Sequence, residues 1–125
     1  MILGIGSDIA ETTRIRQAIE RHGQPFLRRV LGAAEQKQCA QYGPVRLAEF
    51  VAGRFAAKEA LAKAVGCGLA KLSMASVSLM VTDDGLHVMW EARSALQRLG
   101  ARDRLHVSIS HTEQIAFATA IWERL

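Results

Sequence analysis

VRLAEFVAGRFAAKEALAKAV, residues 45–65, is the longest run of strong helix formers in the chain, and Gly66-Cys67-Gly68 directly behind it supplies a stop. At about 100° per residue, Leu47, Phe50, Val51, Leu61 and Val65 fall on one face, and Arg54 and Lys58 fall inside the same arc. Two cations therefore interrupt an apolar stripe. Either they snorkel at the edge of a core or pair with a neighbouring element, or both reach an anion at an interface, because a buried unpaired cation is too costly to keep. Glu59 and Lys63 stand four residues apart on an adjoining flank, in the order that favours a surface helix pair.

Upstream of this helix, Ile2 to Ile9 reads as a buried strand in which Gly4 and Gly6 mark a close backbone approach or a bulge. Asp8 ends that apolar run. An ionised carboxylate there needs a cation, a partner, or a role as a cap for the backbone at Ala10 to Thr12. Thr12-Thr13 is an N-cap signal for a basic helix through Arg14, Ile15, Ala18, Ile19 and Arg21. After the turn at His22-Gly23-Gln24-Pro25, Phe26 to Leu31 and Ala33 to Tyr42 read as two short helices.

Downstream the pattern changes to strands. Ser76 to Val81 and Leu86 to Trp90 form a hairpin around Asp83-Asp84-Gly85, Glu91 to Leu99 reads as a helix, and Leu105 to Ser110 and Ile115 to Trp122 flank a polar turn at residues 111–114. Helices gathered in the first half and strands in the second predict an α+β fold. The expectation is a single domain over residues 1–125, with an antiparallel-rich sheet, joined by the first strand, packed against one long helix and several short ones.

Bulk properties set limits. With 125 residues, 50% hydrophobic and 22% charged, the chain buries enough surface to fold without staples, so Cys39 and Cys67 are expected as free thiols in a reducing compartment. The apolar start MILGIGSDIA lacks a basic leader, and no apolar run approaches the ~20 residues of a membrane span, so the expected location is the cytoplasm. A net charge of +4 favours anionic partners. A nucleic-acid-binding domain is one such class, but 6% aromatic content and the lack of a basic run with interleaved aromatics weigh against it.

Three separated blocks carry a resemblance: GIGSDIAETTRI from Gly4 to Ile15, FVAGRFAAKEALAKAVGCGL from Phe50 to Leu69, and HVSISHTEQIAFATAI from His106 to Ile121. In content, order and spacing they resemble the holo-acyl-carrier-protein synthases, the small single-domain family of 4′-phosphopantetheinyl transferases. The resemblance implies that coenzyme A donates its phosphopantetheine arm to a serine of an apo acyl carrier protein, releasing adenosine 3′,5′-bisphosphate. It implies a magnesium ion held by Asp8 and Glu59, a choice that suits an ion preferring one or two carboxylates and otherwise water and substrate phosphates. It implies catalytic roles for Glu59 and Lys63, with Arg54, Lys58 and His111 contacting the phosphates of coenzyme A. Arg14, Arg21 and Arg28 are the implied contacts to the acidic carrier protein, and the implied assembly is a homotrimer with active sites at subunit boundaries. Presence of Asp8, Glu59 and Lys63 together argues against an inert scaffold that only binds the carrier. The chain departs from the family pattern at Cys67, where Thr is usual, and at Ser7, and it matches weakly from Leu31 to Pro44.

Overall fold

The computed structural model describes residues 1–125. The long helix, α4 (Pro44–Val65), runs through the centre of the molecule. Its sequence predicts one buried stripe, yet Ala48, Val51, Ala52, Ala56, Ala57, Ala60 and Leu61 are all fully buried, so neighbours cover it on several sides. The reason lies in its alanines, whose single methyl lets other backbones come close. The helix ends as the glycine signal predicts, with Gly66 at φ 70° and the pair of bonds Gly66 N to Lys63 O (3.2 Å) and Cys67 N to Ala62 O (3.1 Å) closing a Schellman motif.

Strand β1 (Ile2–Glu11) lies on this helix. A Cβ built on Gly4 would come within 1.8 Å of the Ala64 carbonyl oxygen, and one on Gly6 within 2.1 Å of that of Ala60. Only glycine permits this approach. The last strand, β5 (Ile115–Arg124), pairs antiparallel with both β1 and β4 (Asp103–His111), giving the sheet order β1-β5-β4. Its Ala116, Ala118 and Ala120 are buried in the core with the helix alanines, while Ile9, Ile115 and Phe117 are exposed. First and last strands are thus neighbours, as the α+β reading expects.

The remaining elements fill in around the helix. α1 (Thr12–His22), α2 (Gln24–Val30) and α3 (Ala33–Cys39) precede it, and α5 (Gly68–Leu72) follows. β2 (Val77–Thr82) and β3 (Gly85–Trp90) form the hairpin, with Gly85 at φ 103°. Both cysteines are free. No helix is long and apolar enough to cross a membrane.

Three sequence expectations are corrected. The first strand, expected to be buried, buries only one face against α4 and leaves Ile2, Ile5 and Ile9 exposed on the other. The segment expected as a helix from Glu91 to Leu99 is a turn followed by a 3-10 helix at Ala95–Arg98. Here the Ser94 hydroxyl accepts from Leu96 N and donates to Leu72 O, a local alternative that outcompetes a helix of barely two turns. At the start of α1, neither threonine caps: Glu11 occupies the cap position without a side-chain bond, and Thr12 N instead reaches Gln114 O at 2.9 Å, tying the helix start to the β4–β5 turn.

Candidate active site

The close seating of β1 on α4 brings Asp8 against the helix at Glu59 and Lys63. The Lys63 ammonium donates to the Ser7 carbonyl at 2.9 Å and to Asp8 Oδ1 at 3.3 Å, so it pairs with the strand and not with Glu59 as a simple surface helix pair would. Asp8 accepts this bond and does not cap α1. Asp8 and Glu59 line one cavity of about 560 Å³, together with Arg14 from α1 and an apolar wall that includes Ile15, Phe26 and Phe55. Partial burial, followed by the charge of Asp8 and contact with it, pushes the Glu59 carboxyl above its ordinary pKa; Lys63 acts in the opposite sense.

Two carboxylates held side by side against a single ammonium leave an excess of negative charge, which is where a divalent cation is stabilised. No cluster of three or more acidic, histidine or cysteine side chains forms a metal cage. A two-carboxylate site fits magnesium, which keeps water and substrate oxygens in its other positions, better than zinc, which takes three or four protein ligands.

A second cavity, about 300 Å³, opens elsewhere on the molecule, with Arg54, His111, Arg46, Tyr42, Phe50 and Val81 among its lining. Arg46 stacks over the Tyr42 ring at 3.9 Å and Arg54 over Phe50 at 4.4 Å, leaving two guanidinium groups and an imidazole, against the single carboxylate of Glu49, around one opening. Such a set suits phosphate. Arg46 escaped the sequence reading, although its spacing carries the signal: Arg46, Phe50 and Arg54 recur every four residues along one face of α4.

Lys58 does not join them. It is expected at the coenzyme A phosphates, but it is fully buried and donates to Val30 O (2.6 Å), Glu35 Oε1 (2.5 Å) and Met74 O (3.0 Å), which uses every proton its ammonium has. Its partner Glu35, also fully buried, lies in the weakly matching segment and was not singled out from the sequence. The Lys58 side of the apolar stripe is therefore explained by a buried ion pair. Of the three arginines expected at a partner surface, Arg14 borders the carboxylate cavity, while Arg21 on α1 and Arg28 on α2 are exposed away from its lining.

The chain is similar over its whole length to known proteins. Residues 4–120 match the model of the 4′-phosphopantetheinyl transferase superfamily. A holo-acyl-carrier-protein synthase of Geobacillus sp. (strain WCH70) is 42% identical over 126 residues, covering 100% of this chain and 99% of the relative. A crystal structure of a holo-acyl-carrier-protein synthase from Bacillus anthracis str. Ames, in complex with CoA (3′,5′-ADP), superposes with a TM-score of 0.82 at 35% identity, covering 100% of this chain and 99% of that one. The corresponding synthase of Neisseria meningitidis gives 0.86 at 31% identity over 99% of this chain and 100% of that one. With the family model matched over residues 4–120 and relatives similar over their full length, the chain belongs to the 4′-phosphopantetheinyl transferase superfamily, among its holo-acyl-carrier-protein synthases.

Proposed function

We propose that the chain, acting as one domain over residues 1–125, transfers the 4′-phosphopantetheine arm of coenzyme A to a serine hydroxyl of apo acyl carrier protein. The other product is adenosine 3′,5′-bisphosphate. The observation that carries this reading is the meeting of Asp8, Glu59 and Lys63 at one cavity, in a chain of this family.

The reaction is an in-line displacement: the serine oxygen bonds to the β-phosphorus while the bond from that phosphorus to the bisphosphate oxygen breaks. Catalysis is then mainly positioning and charge neutralisation. Asp8 and Glu59 would hold a magnesium ion, which when bound supplies neutralisation of the pyrophosphate charge. Glu59, directly or through a bound water, accepts the serine proton. Lys63, held beside Asp8 with its side chain 56% exposed, presents its ammonium to the departing bisphosphate. Arg54 and His111 bind phosphates of the donor, and Arg46 joins them.

Arg54 and Glu59 are five residues apart on α4, which turns them about 140° from each other around the helix axis. The two cavities share no lining residue. We read the site as shared between copies, in a homotrimer in which the carboxylates of one subunit face the cationic cavity of the next. Support comes from the outer face of the main sheet, where Ile5 is 67% exposed, Ile9 59% and Phe117 40%, an apolar surface for other copies to cover.

Arg14, Arg21 and Arg28 dock the acidic carrier. Exposed charges of this kind raise the association rate more than the final affinity. With coenzyme A and its carrier as substrates, the cytoplasm is the proposed location.

The test is incubation of the purified chain with apo acyl carrier protein, coenzyme A and magnesium, followed by mass spectrometry of the carrier. A gain of one phosphopantetheine on serine is expected, and Asp8→Ala and Glu59→Ala should each abolish it. Full transfer by either variant removes the proposed site.

A further inference from the structure

We propose that Glu35 is a positioning residue for donor binding: from outside the cationic cavity it fixes the Arg54 guanidinium toward the phosphates, while Lys58 neutralises it from the interior. The inference rests on the reading of the Arg54–His111 cavity as the phosphate site of coenzyme A.

The geometry is a closed circuit. Glu35 Oε1 accepts from Gly32 N at 2.9 Å and from Lys58 Nζ at 2.5 Å. Glu35 Oε2 accepts from Leu79 N at 2.8 Å and lies 3.5 Å from Arg54 Nε. The carbonyl of that same Leu79 accepts from Arg54 Nη2 at 3.1 Å. One carboxylate thus holds both the charge beside Arg54 and the peptide to which Arg54 is bonded.

Charge counting shows what this leaves free. The cluster holds two cations and one carboxylate, hence one net positive charge in a buried setting. Lys58 spends all its protons on protein acceptors, so the surplus resides on Arg54. The Arg54 Nη1 atom makes no hydrogen bond within the protein and is not buried, whereas Nε is buried without a hydrogen-bond partner. With Phe50 stacked against the guanidinium, Nη1 is the donor offered to the cavity. A phosphate there supplies the missing negative charge, and its hydrogen bond is strong only while the guanidinium plane is held.

Orientation and net charge can be separated experimentally. The double variant E35Q/K58M removes one charge of each sign and keeps the cluster at plus one. Calorimetric binding of adenosine 3′,5′-bisphosphate is compared among wild type, R54Q, E35Q/K58M and Glu35→Asp, with folding checked by circular dichroism and KM for coenzyme A measured alongside kcat. Loss of one charge-assisted hydrogen bond corresponds to about a tenfold weakening. E35Q/K58M should therefore weaken bisphosphate binding and raise KM about tenfold while kcat stays within about twofold. E35D, with its carboxylate withdrawn by one methylene, should weaken it by a smaller factor, so the proposal is tested even if the double variant does not fold. Wild-type affinity in the folded Glu35 variants, with R54Q weakened, overturns the role of Glu35. Wild-type affinity in R54Q overturns the phosphate site itself.

Discussion

Glu59 is where acid–base chemistry and folding meet. Its carboxyl is raised above the ordinary value of 4.5 by burial first and by Asp8 second. The folded chain therefore retains a proton that the unfolded chain releases at lower pH. Below that ordinary value both states are protonated and the contribution to stability is complete; as pH rises through the folded-state value, the fold must carry a crowded charge and stability is lost. Glu59→Gln should thus melt higher than wild type at neutral pH in a chelator, by a few degrees at most because the group is only partly buried. The advantage should shrink as pH falls toward 4.5, and millimolar magnesium should raise the melting temperature of wild type but not of the variant. Differential scanning fluorimetry across pH decides it: a variant that melts lower than wild type at neutral pH would show that Asp8 and Glu59 do not strain each other. At this scale Asp8, ending an apolar strand, was legible as a carboxylate that needs a partner, a cation or a capping role, while Glu59 and Lys63, which alone read as a surface helix pair, were legible only through the family resemblance. Glu35 was not. Two cations in an apolar arc also demand a partner, but the chain has 12 acidic residues, and nothing in AAEQKQC distinguishes Glu35 from a solvated position on a short helix.

Helix α4 and strand β1 together set the distance on which the site depends. Gly4 and Gly6 let the strand backbone lie against the carbonyls of Ala64 and Ala60, which in turn delivers Asp8 to the flank bearing Glu59 and Lys63. Gly6→Ala should cost on the order of 1–3 kcal/mol or more, since the new methyl meets helix backbone that cannot rotate away. Gly43→Ala is the comparison without a clash: nothing lies within 4 Å of its Cβ and its φ of −72° suits any residue, so it should cost only the roughly 0.5–1 kcal/mol by which alanine is a poorer N-cap of α4 than glycine. Urea denaturation reads the stability. In folded Gly6→Ala, a magnesium titration followed by melting temperature should also show a weaker response, because the strand is displaced. Unimpaired magnesium response together with unchanged stability would mean the close approach is dispensable. The two glycines were readable as close approach from their place in an apolar strand. The depth of burial of α4 was not, because a helix rich in alanine shows no strong polarity of its faces. Residues 91–99 misled for a related reason: their composition favours helix, and only the tertiary bonds of Ser94 to Leu72 and of Arg98 to the Val65 carbonyl reveal why the chain turns instead.

Across the whole molecule, the separation of the two cavities forces a choice between a site built within one chain and a site shared between copies. Arg54 and Glu59 stand about 140° apart around the α4 axis, and the cationic and carboxylate cavities have no lining residue in common. Sharing has a consequence that no single-chain site reproduces. In a mixed trimer of Asp8→Ala and Arg54→Gln chains, a boundary that takes its carboxylates from the Arg54→Gln chain and its arginine from the Asp8→Ala chain is wholly wild type in its working residues. Random mixing at equal amounts makes about one boundary in four of this kind. Selection of mixed trimers removes the parental ones and leaves about one such boundary in three, so co-purified species, assayed at coenzyme A below the wild-type KM, should recover about a third of wild-type transfer, where Asp8→Ala alone gives none and Arg54→Gln alone gives little. Recovery requires exchange of subunits, so co-expression with two affinity tags selects the mixed species, and their mass by light scattering reports the assembly directly. If the doubly tagged species forms and its activity is no more than the mean of the two parents, both cavities serve within one chain and the shared site is wrong.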